Sequence, residues 1–443
     1  MKLPTSLLLI LLLLAGTVVY GQARTVSVSG GRKVTLSGTY RSMPGEFRGI
    51  WVATVQSIDF GKNKTAVEFR KEFNTLLRNI KNAGFTALIF QVRPMNDAFY
   101  LSDLNPLSRW MTGTEGKRFS DEPGFDPMAY MIRETHRAGL EFHAWLNPYR
   151  VANKVANSKT AYLKSLDSRN FAAKNPSCVL AIPNGKTLDL ILDPGRPEVR
   201  KFLCATVQEI IDQYDVDAIH FDDYFYPYSP MGNADAATYK RYAKRGESVE
   251  AWRRRNVNMM VYEIHQLIQK QNARYDRKIR FGISPFGIWA NNKPVKRPNR
   301  NDPDFQAAGS ESAGGQSFFK QYADTVKWVR EGWIDYIIPQ LYWSFDHKDA
   351  PYGVLASWWA ETVRRNNPSV ALYIGHGVYQ CGTAADWKDP DELTDQLLFN
   401  QKLGIRGSAF FSYTRIFRPD NAAQKKASAK LIRTFWKKTY PVK

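Results

Sequence analysis

The stretch that decides the fold reads Val216-Asp217-Ala218-Ile219-His220-Phe221-Asp222-Asp223-Tyr224-Phe225-Tyr226-Pro227. An apolar run changes abruptly to two carboxylates and several aromatic residues, and a proline closes it. This pattern is typical of a buried strand that leads out of a core into a polar site. Because successive strand side chains face opposite ways, His220 and Asp222 share one face, and Ile219, Phe221 and Asp223 share the other. If the bulky apolar face packs on helices, His220 and Asp222 point inward.

The same arrangement of strand and helix recurs along the chain. Helical stretches that end at a glycine, such as Gly84, Gly139 and Gly404, stand directly before candidate strands. Eight candidate strands follow this pattern: Phe47–Val55, Thr86–Arg93, Leu140–Asn147, Val216–Tyr224, Ile279–Ile288, Ile334–Trp343, Val370–Tyr379 and Gly407–Thr414. Eight strands alternating with helices predict an α/β fold, a (β/α)8 TIM-type barrel. A doubly wound sheet would need a glycine-rich phosphate loop after its first strand, and 52–57 contains none.

The domain organisation is predicted as a signal peptide, a short tether and one barrel. Residues 1–23 combine Lys2, an apolar run and a small-residue end, which indicates a secretory signal cleaved after Ala23. Residues 24–45 are predicted to form an N-terminal tether or edge strand, and 46–438 the barrel. Other apolar runs are too short to span a membrane. We therefore expect an exported protein of the periplasm, cell envelope or extracellular space. Four long insertions are expected to shape the cleft: 95–127, 151–193, 229–255 and 289–318.

The composition restricts the class of partner. The formal net charge of +20 favours acidic partners such as anionic envelope polymers, although a generally basic solvated surface is an equal alternative. Export argues against nucleic acid. The three cysteines are widely spaced and the six histidines lack metal-ligand spacing, so neither a metal nor a cofactor is predicted.

Polar and aromatic side chains are predicted to converge at the C-terminal strand ends, where such barrels build their sites. The candidate binding residues are Gln91 and Arg93 from the second strand, His143, Trp145 and Asn147 from the third, His220 and Tyr224 from the fourth, Ser284 and Trp289 from the fifth, Gln340, Tyr342 and Trp343 from the sixth, and His376 from the seventh. Buried polar groups are costly unless they are paired. We therefore expect a polar cleft with aromatic platforms, which suits a sugar polymer.

Glycoside hydrolysis requires two carboxyl groups, one to protonate the leaving oxygen and one to attack or to activate water. Asp222 is the first candidate for nucleophile or base, with His220 and Arg93 holding it ionised. Asp346 leads for the second carboxyl, followed by Asp223 and then Asp97. Each of these carboxylates has a plainer alternative, as a turn residue or as the partner of a nearby arginine.

Several motifs together resemble the glycosyl-hydrolase-like domain 10 family. They are Phe47-Arg48-Gly49-Ile50-Trp51, Gln91-Val92-Arg93-Pro94, His143-Ala144-Trp145-Leu146-Asn147-Pro148-Tyr149-Arg150, Asp193-Pro194-Gly195, His220-Phe221-Asp222-Asp223-Tyr224, Gly282-Ile283-Ser284-Pro285-Phe286 and Pro339-Gln340-Leu341-Tyr342-Trp343. The resemblance implies a TIM-type barrel and a bacterial envelope or secreted glycosidase. It adds Arg150 to the candidate binding residues.

A more distant similarity links 217–222 to the fourth-strand motif of chitinase-type barrels. That motif places a Glu acid where this chain has Tyr224, so the resemblance leaves only participation of a neighbouring acetamido group, with Asp222 orienting the substrate. The sequence thus predicts an exported hydrolase of an amino-sugar polymer, foremost peptidoglycan glycan strands. An exported hydrolase of another polysaccharide and a catalytically silent glycan-binding barrel are the alternatives.

Overall fold

The computed structural model describes residues 24–38, 40–156, 158–292 and 308–436, so the predicted signal peptide lies outside the described residues. The strands are β1 Arg24–Ser27, β2 Lys33–Leu36, β3 Phe47–Val52, β4 Ala87–Arg93, β5 Glu141–Leu146, β6 Arg150–Val155, β7 Val179–Asn184, β8 Thr187–Leu192, β9 Ala218–Phe221, β10 Arg280–Ile283, β11 Tyr336–Ile337, β12 Ala371–Leu372, β13 Ile374–Gly377 and β14 Gly407–Phe411. The α-helices are α1 Ala66–Asn82, α2 Arg109–Thr112, α3 Pro127–Arg137, α4 Lys159–Lys164, α5 Phe171–Lys174, α6 Pro197–Gln213, α7 Ala236–Tyr242, α8 Val249–Tyr275, α9 Ser317–Lys320, α10 Thr325–Arg330, α11 Tyr352–Asn366, α12 Glu392–Lys402, α13 Tyr413–Phe417 and α14 Ala422–Trp436.

Parallel strands form a barrel in the order β3, β4, β5, β9, β10, β11, β12–β13 and β14. β12 pairs with β11, β13 pairs with β14, and only Tyr373 separates the two in the chain. They are two halves of one seventh strand, and the barrel closes through it. The prediction of a (β/α)8 barrel is confirmed, and each of the eight candidate strands overlaps an observed one.

Local sequence explains how a strand and its preceding helix fit together. The Thr65 side chain caps α1 by accepting a hydrogen bond from the backbone N–H of Glu68. The buried positions of this helix recur every three or four residues: Phe69, Phe73, Leu76 and Ile80. The helix is followed by Gly84 with φ +81°, a conformation that only glycine adopts without strain. This turn directs the chain back along the barrel as β4.

The alternation along β9 is as predicted. Ile219 and Phe221 belong to the core between the barrel wall and the helices, whereas Ala218 packs in the barrel interior beside Trp145 and Tyr336. The interior also holds a layer of buried polar side chains. The hydroxyl of Tyr336 lies 2.8 Å from Nδ1 of His143 and 3.1 Å from Nδ1 of His220. Both histidines therefore face inward, as the strand pattern indicated, and both are satisfied by hydrogen bonds.

Two additions flank the barrel. The insertion between β5 and β9 forms a three-stranded antiparallel sheet in the order β6, β8, β7 and starts at Arg150, close to the strand ends. At the N-terminus, β1 and β2 pair with each other in a separate two-stranded sheet. Arg24 holds this hairpin to α12 through an ion pair with the buried Glu392 at 2.9 Å. The segment predicted as a tether or edge strand is thus a hairpin packed against the outer helices.

Candidate active site

Asp222 follows the last residue of β9 at the C-terminal end of the barrel. Its carboxylate accepts hydrogen bonds from Trp145 Nε1 at 3.1 Å and from the backbone N–H of Tyr224 at 3.2 Å. Asn147 Nδ2 lies 3.2 and 3.0 Å from the two carboxylate oxygens. Trp145 lies in β5, Asn147 follows that strand, and β5 pairs with β9. The neighbouring strand therefore sets the orientation of this carboxylate.

The surroundings of Asp222 raise the pKa of its carboxyl group toward neutral pH. Only 4% of the residue is exposed, and burial raises the pKa of its carboxyl to about 6. The Arg150 cation lowers that pKa, the Asp223 charge raises it, and the hydrogen bonds from Tyr224 and Trp145 lower it. Burial outweighs the stabilising donors. A carboxyl with this pKa can exchange a proton close to neutral pH, which is what acid–base catalysis requires.

Asp223 lies in the same cavity as Asp222. β9 ends at Phe221, so the alternation of faces does not extend to the turn, and the expectation that Asp223 shares the outward face of Phe221 is wrong. The hydroxyl of Tyr228 donates a hydrogen bond to Asp223 Oδ2. Burial raises the pKa of Asp223, while hydrogen bonds from Tyr228 and Gln340 lower it. Two adjacent buried carboxyl groups thus line the same cavity.

A cavity of about 650 Å³ covers the two carboxyl groups, which is within the usual size range of small-molecule sites. Of the predicted binding residues, the following line it: Gln91, Trp145, Arg150, Tyr224, Ser284, Gln340, Tyr342 and Trp343. These side chains come from five barrel strands or the segments after them, with Arg150 at the start of the β6 insertion. Indole and phenol faces alternate with amide groups, the combination expected for stacking on sugar rings and bonding to their substituents.

Some lining residues were not predicted. The aromatic ones are Trp51, Tyr228 and Phe411; Phe286 and Tyr379, which the strand pattern places at the ends of the fifth and seventh strands, also line the cavity. Trp51 could have been found, because it lies on the same face of β3 as Phe47 and Ala53, which also point into the barrel. Tyr228 lies in the loop after β9, where no periodicity indicates direction. Arg415 also lines the cavity, from α13, and it forms an ion pair with Asp420.

The structure does not place Asp346 in the cavity. Its side chain is 74% exposed and forms an ion pair with Arg24 at 3.0 Å on the outer surface. The segment after β11 carries Gln340, Tyr342 and Trp343 into the cavity before it turns outward. Asp97 is also absent from the cavity lining, since it is buried and accepts a hydrogen bond from the hydroxyl of Ser108 at 2.6 Å. Asp223 is therefore the second carboxyl that the fold brings next to Asp222.

Two predicted binding residues face the helices. His376 is hydrogen-bonded to Gln396 of α12 at 2.8 Å and to Ser408 at 3.0 Å. Its strand is interrupted at Tyr373, and the glycines on either side of His376 take the inward positions. Trp289 packs against Phe318 in the outer core. Direct contact of either side chain with a ligand in the cavity is excluded by these positions.

The remaining predicted residues lie behind the cavity wall. Arg93 is fully buried and donates hydrogen bonds to the carbonyl of Asn147 at 2.8 Å and to Asn96 Oδ1 at 2.8 Å. Arg93 therefore fixes the position of Asn147, which in turn donates hydrogen bonds to Asp222. His220 accepts from Trp51 Nε1 at 3.3 Å and lies 2.9 Å from the hydroxyl of Ser284. His143 lies deeper, beside Tyr336 and Glu141. Of these three residues, His220 contacts side chains that line the cavity, whereas Arg93 and His143 contact residues behind that lining.

Within 24–38, 40–156, 158–292 and 308–436, no group of three or more His, Cys, Asp or Glu side chains is arranged to hold a metal ion. In the same part of the chain, no helix is both long enough and apolar enough to cross a membrane.

Comparison with known proteins identifies several relatives. The family model described as glycosyl hydrolase-like 10 matches residues 46–391. The glycosyl hydrolase YngK of Bacillus subtilis (strain 168) is 40% identical over 375 residues, which cover 83% of this chain and 68% of that protein. The glycosyl hydrolase DigH of Escherichia coli (strain K12) is 31% identical over 456 residues, which cover 98% and 96%. The glycoside hydrolase domain of PgaB (BpsB) from Bordetella bronchiseptica has a TM-score of 0.51 at 13% identity, covering 89% of this chain and 100% of that chain, which is a likeness of fold.

Proposed function

Since the chain belongs to the glycosyl hydrolase-like 10 family and is a glycoside hydrolase, as its motifs predicted, we propose that it is exported and cleaves an amino-sugar polymer, the glycan strands of peptidoglycan. The observation that carries this proposal is the pair Asp222 and Asp223, buried side by side under a cavity with aromatic and amide walls. The predicted signal peptide supports export. The charge of +20 suits a polyanionic wall.

The two carboxyl groups differ in how many other residues donate hydrogen bonds that favour the ionised form. Asp222 accepts from three N–H donors, which favour its ionised form, so it serves as the base or orienting carboxylate. Among the described residues, Asp223 accepts from only two others, the hydroxyl of Tyr228 and Gln340, and burial raises its pKa, so it serves as the acid. In hydrolysis Asp223 gives its proton to the glycosidic oxygen as the bond from that oxygen to the anomeric carbon breaks. Water forms the new bond to that carbon, and its proton passes to Asp222.

The pH dependence of the reaction follows from the pKa of Asp222. A base must be ionised and an acid protonated, so kcat/KM should fall about tenfold per pH unit below pH 6 and fall again once Asp223, whose pKa burial raises, loses its proton. The decrease at low pH reports the pKa of the base in the free enzyme, because the quantity measured is kcat/KM. Steady-state rates on soluble glycan oligomers between pH 4 and pH 8 would measure it. A limb near pH 4 would mean that the carboxyl that titrates in catalysis does not have the raised pKa of Asp222.

The substrate and reaction are tested by mass spectrometry of the products. The mature chain from residue 24 onward and its Asp222→Asn variant are incubated with peptidoglycan strands, both intact and stripped of peptides, and with neutral polysaccharides. We expect new glycan fragments from the peptidoglycan strands with the unaltered protein alone. Fragments from a neutral polysaccharide only would replace the proposed substrate with that polymer. Secretion of the full chain by its own first 23 residues, measured in a bacterial host, tests export.

A further inference from the structure

Arg150 differs from the other buried arginines of the described chain. Five arginines there are buried: Arg48, Arg93, Arg150, Arg253 and Arg254. The others each donate at least one side-chain hydrogen bond, for example Arg93 to Asn96 and Arg253 to Asp235. In the described part of the chain, Arg150 donates none from its guanidinium, and its Nε is buried without a partner. A buried cation with unused donors is unfavourable unless a ligand completes it.

The position of Arg150 is nevertheless fixed. Its backbone N–H donates to Asn147 Oδ1 at 3.1 Å, and its carbonyl accepts from Asn96 Nδ2 at 3.1 Å. Its guanidinium carbon lies 3.8 Å from the centroid of the Tyr224 ring. A guanidinium stacked in this way has one face covered, and its N–H edge is free for planar acceptors. Arg150 is 5% exposed and lines the cavity, so a group that uses its free N–H donors would have to lie in that cavity.

The two carboxyl groups of the site do not use these donors. Asp222 already accepts from Trp145, Asn147 and the backbone of Tyr224, and Asp223 from Tyr228. Arg150 acts on both through its charge, which lowers both pKa values, without forming a hydrogen bond to either. Its donors are therefore available to a third group, one that is not part of the protein.

We infer that Arg150 binds a carboxylate substituent of the sugar that is seated beside the scissile bond. A carboxylate is the planar anion that matches two guanidinium N–H groups at once. This inference rests on the proposed function, in which alternate sugars of the polymer carry an acidic ether substituent. It makes Arg150 the residue that distinguishes an acidic amino-sugar polymer from a neutral one. The cavity contains a second arginine, Arg415, but that side chain is already paired with Asp420.

The test combines two enzymes with two substrates. Peptide-free glycan strands are used with their carboxyl groups intact or chemically reduced to alcohols, and kcat/KM is measured for the unaltered protein and for Arg150→Gln. The unaltered protein should prefer the carboxylate strands by about tenfold or more, and the variant should lose about 10²-fold on them, the usual scale for truncating a buried charged contact. In Arg150→Gln, kcat/KM on carboxylate strands and on reduced strands should differ by no more than about twofold. Arg150→Lys should keep part of the preference for carboxylate strands, because lysine retains the charge but not the planar guanidinium. Arg415→Gln, the matched control, should keep the preference.

Failure of the inference and failure of the proposed function would give different results. If the unaltered protein cleaves both strands equally and Arg150→Gln lowers both rates by one factor, Arg150 only positions Tyr224 and Asp222, and the inference is overturned while the proposed function stands. If the unaltered protein cleaves neither strand and cleaves a neutral polymer, the proposed substrate and the inference are both overturned. Near-ultraviolet circular dichroism of each variant checks that the aromatic cavity is intact.

Discussion

Asp222→Asn should lower kcat on glycan strands by at least ~10²-fold, within the usual range of about 10²–10⁴ for a removed acid–base group. Asparagine keeps the size of the side chain but cannot take a proton from water. The three donors around this side chain also favour a carboxylate over an amide. Initial rates at the pH optimum of the unaltered protein measure the loss, since Asp222 is ionised and Asp223 protonated there.

Asp346→Asn is the matched control, because it makes the same chemical change at a carboxylate on the outer surface. It removes one exposed ion pair with Arg24, and exposed pairs contribute little to stability. We expect its activity to stay within about twofold of the unaltered protein. Full activity of Asp222→Asn, or a large loss in Asp346→Asn, would contradict the assignment of the site.

The separate role of Asp223 is tested with leaving groups. Asp223→Asn should be about 10²-fold slower on glycan strands, whose leaving oxygen needs a proton. An aryl glycoside with an acidic phenol leaves without that proton, so Asp223→Asn should recover most of its rate on such a substrate. Asp222→Asn should not recover. If both variants respond alike, the assignment of acid and base is wrong.

Gly282→Ala should reduce the free energy of unfolding by about 3 kcal/mol, the upper end of the usual cost of overpacking. A Cβ at residue 282 would overlap the ring of Tyr336, which is fully buried on the paired strand β11. The ring cannot move aside without breaking its hydrogen bonds to His143 and His220. Urea denaturation followed by tryptophan fluorescence measures the change.

Gly124→Ala is the control for this substitution. No atom lies within 4 Å of a Cβ added there, and Gly124 does not have the positive φ that would strain an alanine. Its free energy of unfolding should remain within about 1 kcal/mol of the unaltered protein, with a slight gain from the reduced freedom of the unfolded chain. Equal stability of Gly282→Ala and Gly124→Ala would show that the interior layer around Tyr336 is not tightly packed.

The sequence alone was sufficient to predict the barrel and the inward position of Asp222 at the end of its fourth strand. Helices and their ends are marked by local signals, namely the spacing of Phe69, Phe73, Leu76 and Ile80 and glycines such as Gly84. Within a strand, alternate side chains point to opposite faces, so the sequence also predicts which residues face inward. A side chain such as Trp145 or His220 is thus assigned to the interior before any tertiary contact is known. This alternation predicts the direction of side chains only within the strand itself.

Tertiary structure alone decided what lies beyond the strand ends. β9 ends at Phe221, and from there the direction of Asp223 depends on Tyr228 and Gln340, which lie in different segments. Asp346 follows a strand in the expected way, yet its loop turns outward to Arg24, 322 residues away in the chain. Turns and loops have no repeating period, so their side chains point where contacts between distant residues place them. The amino-acid sequence therefore determined the scaffold and placed Asp222 at a strand end, and only the folded chain determined that Asp223, rather than Asp346, lies in the same cavity.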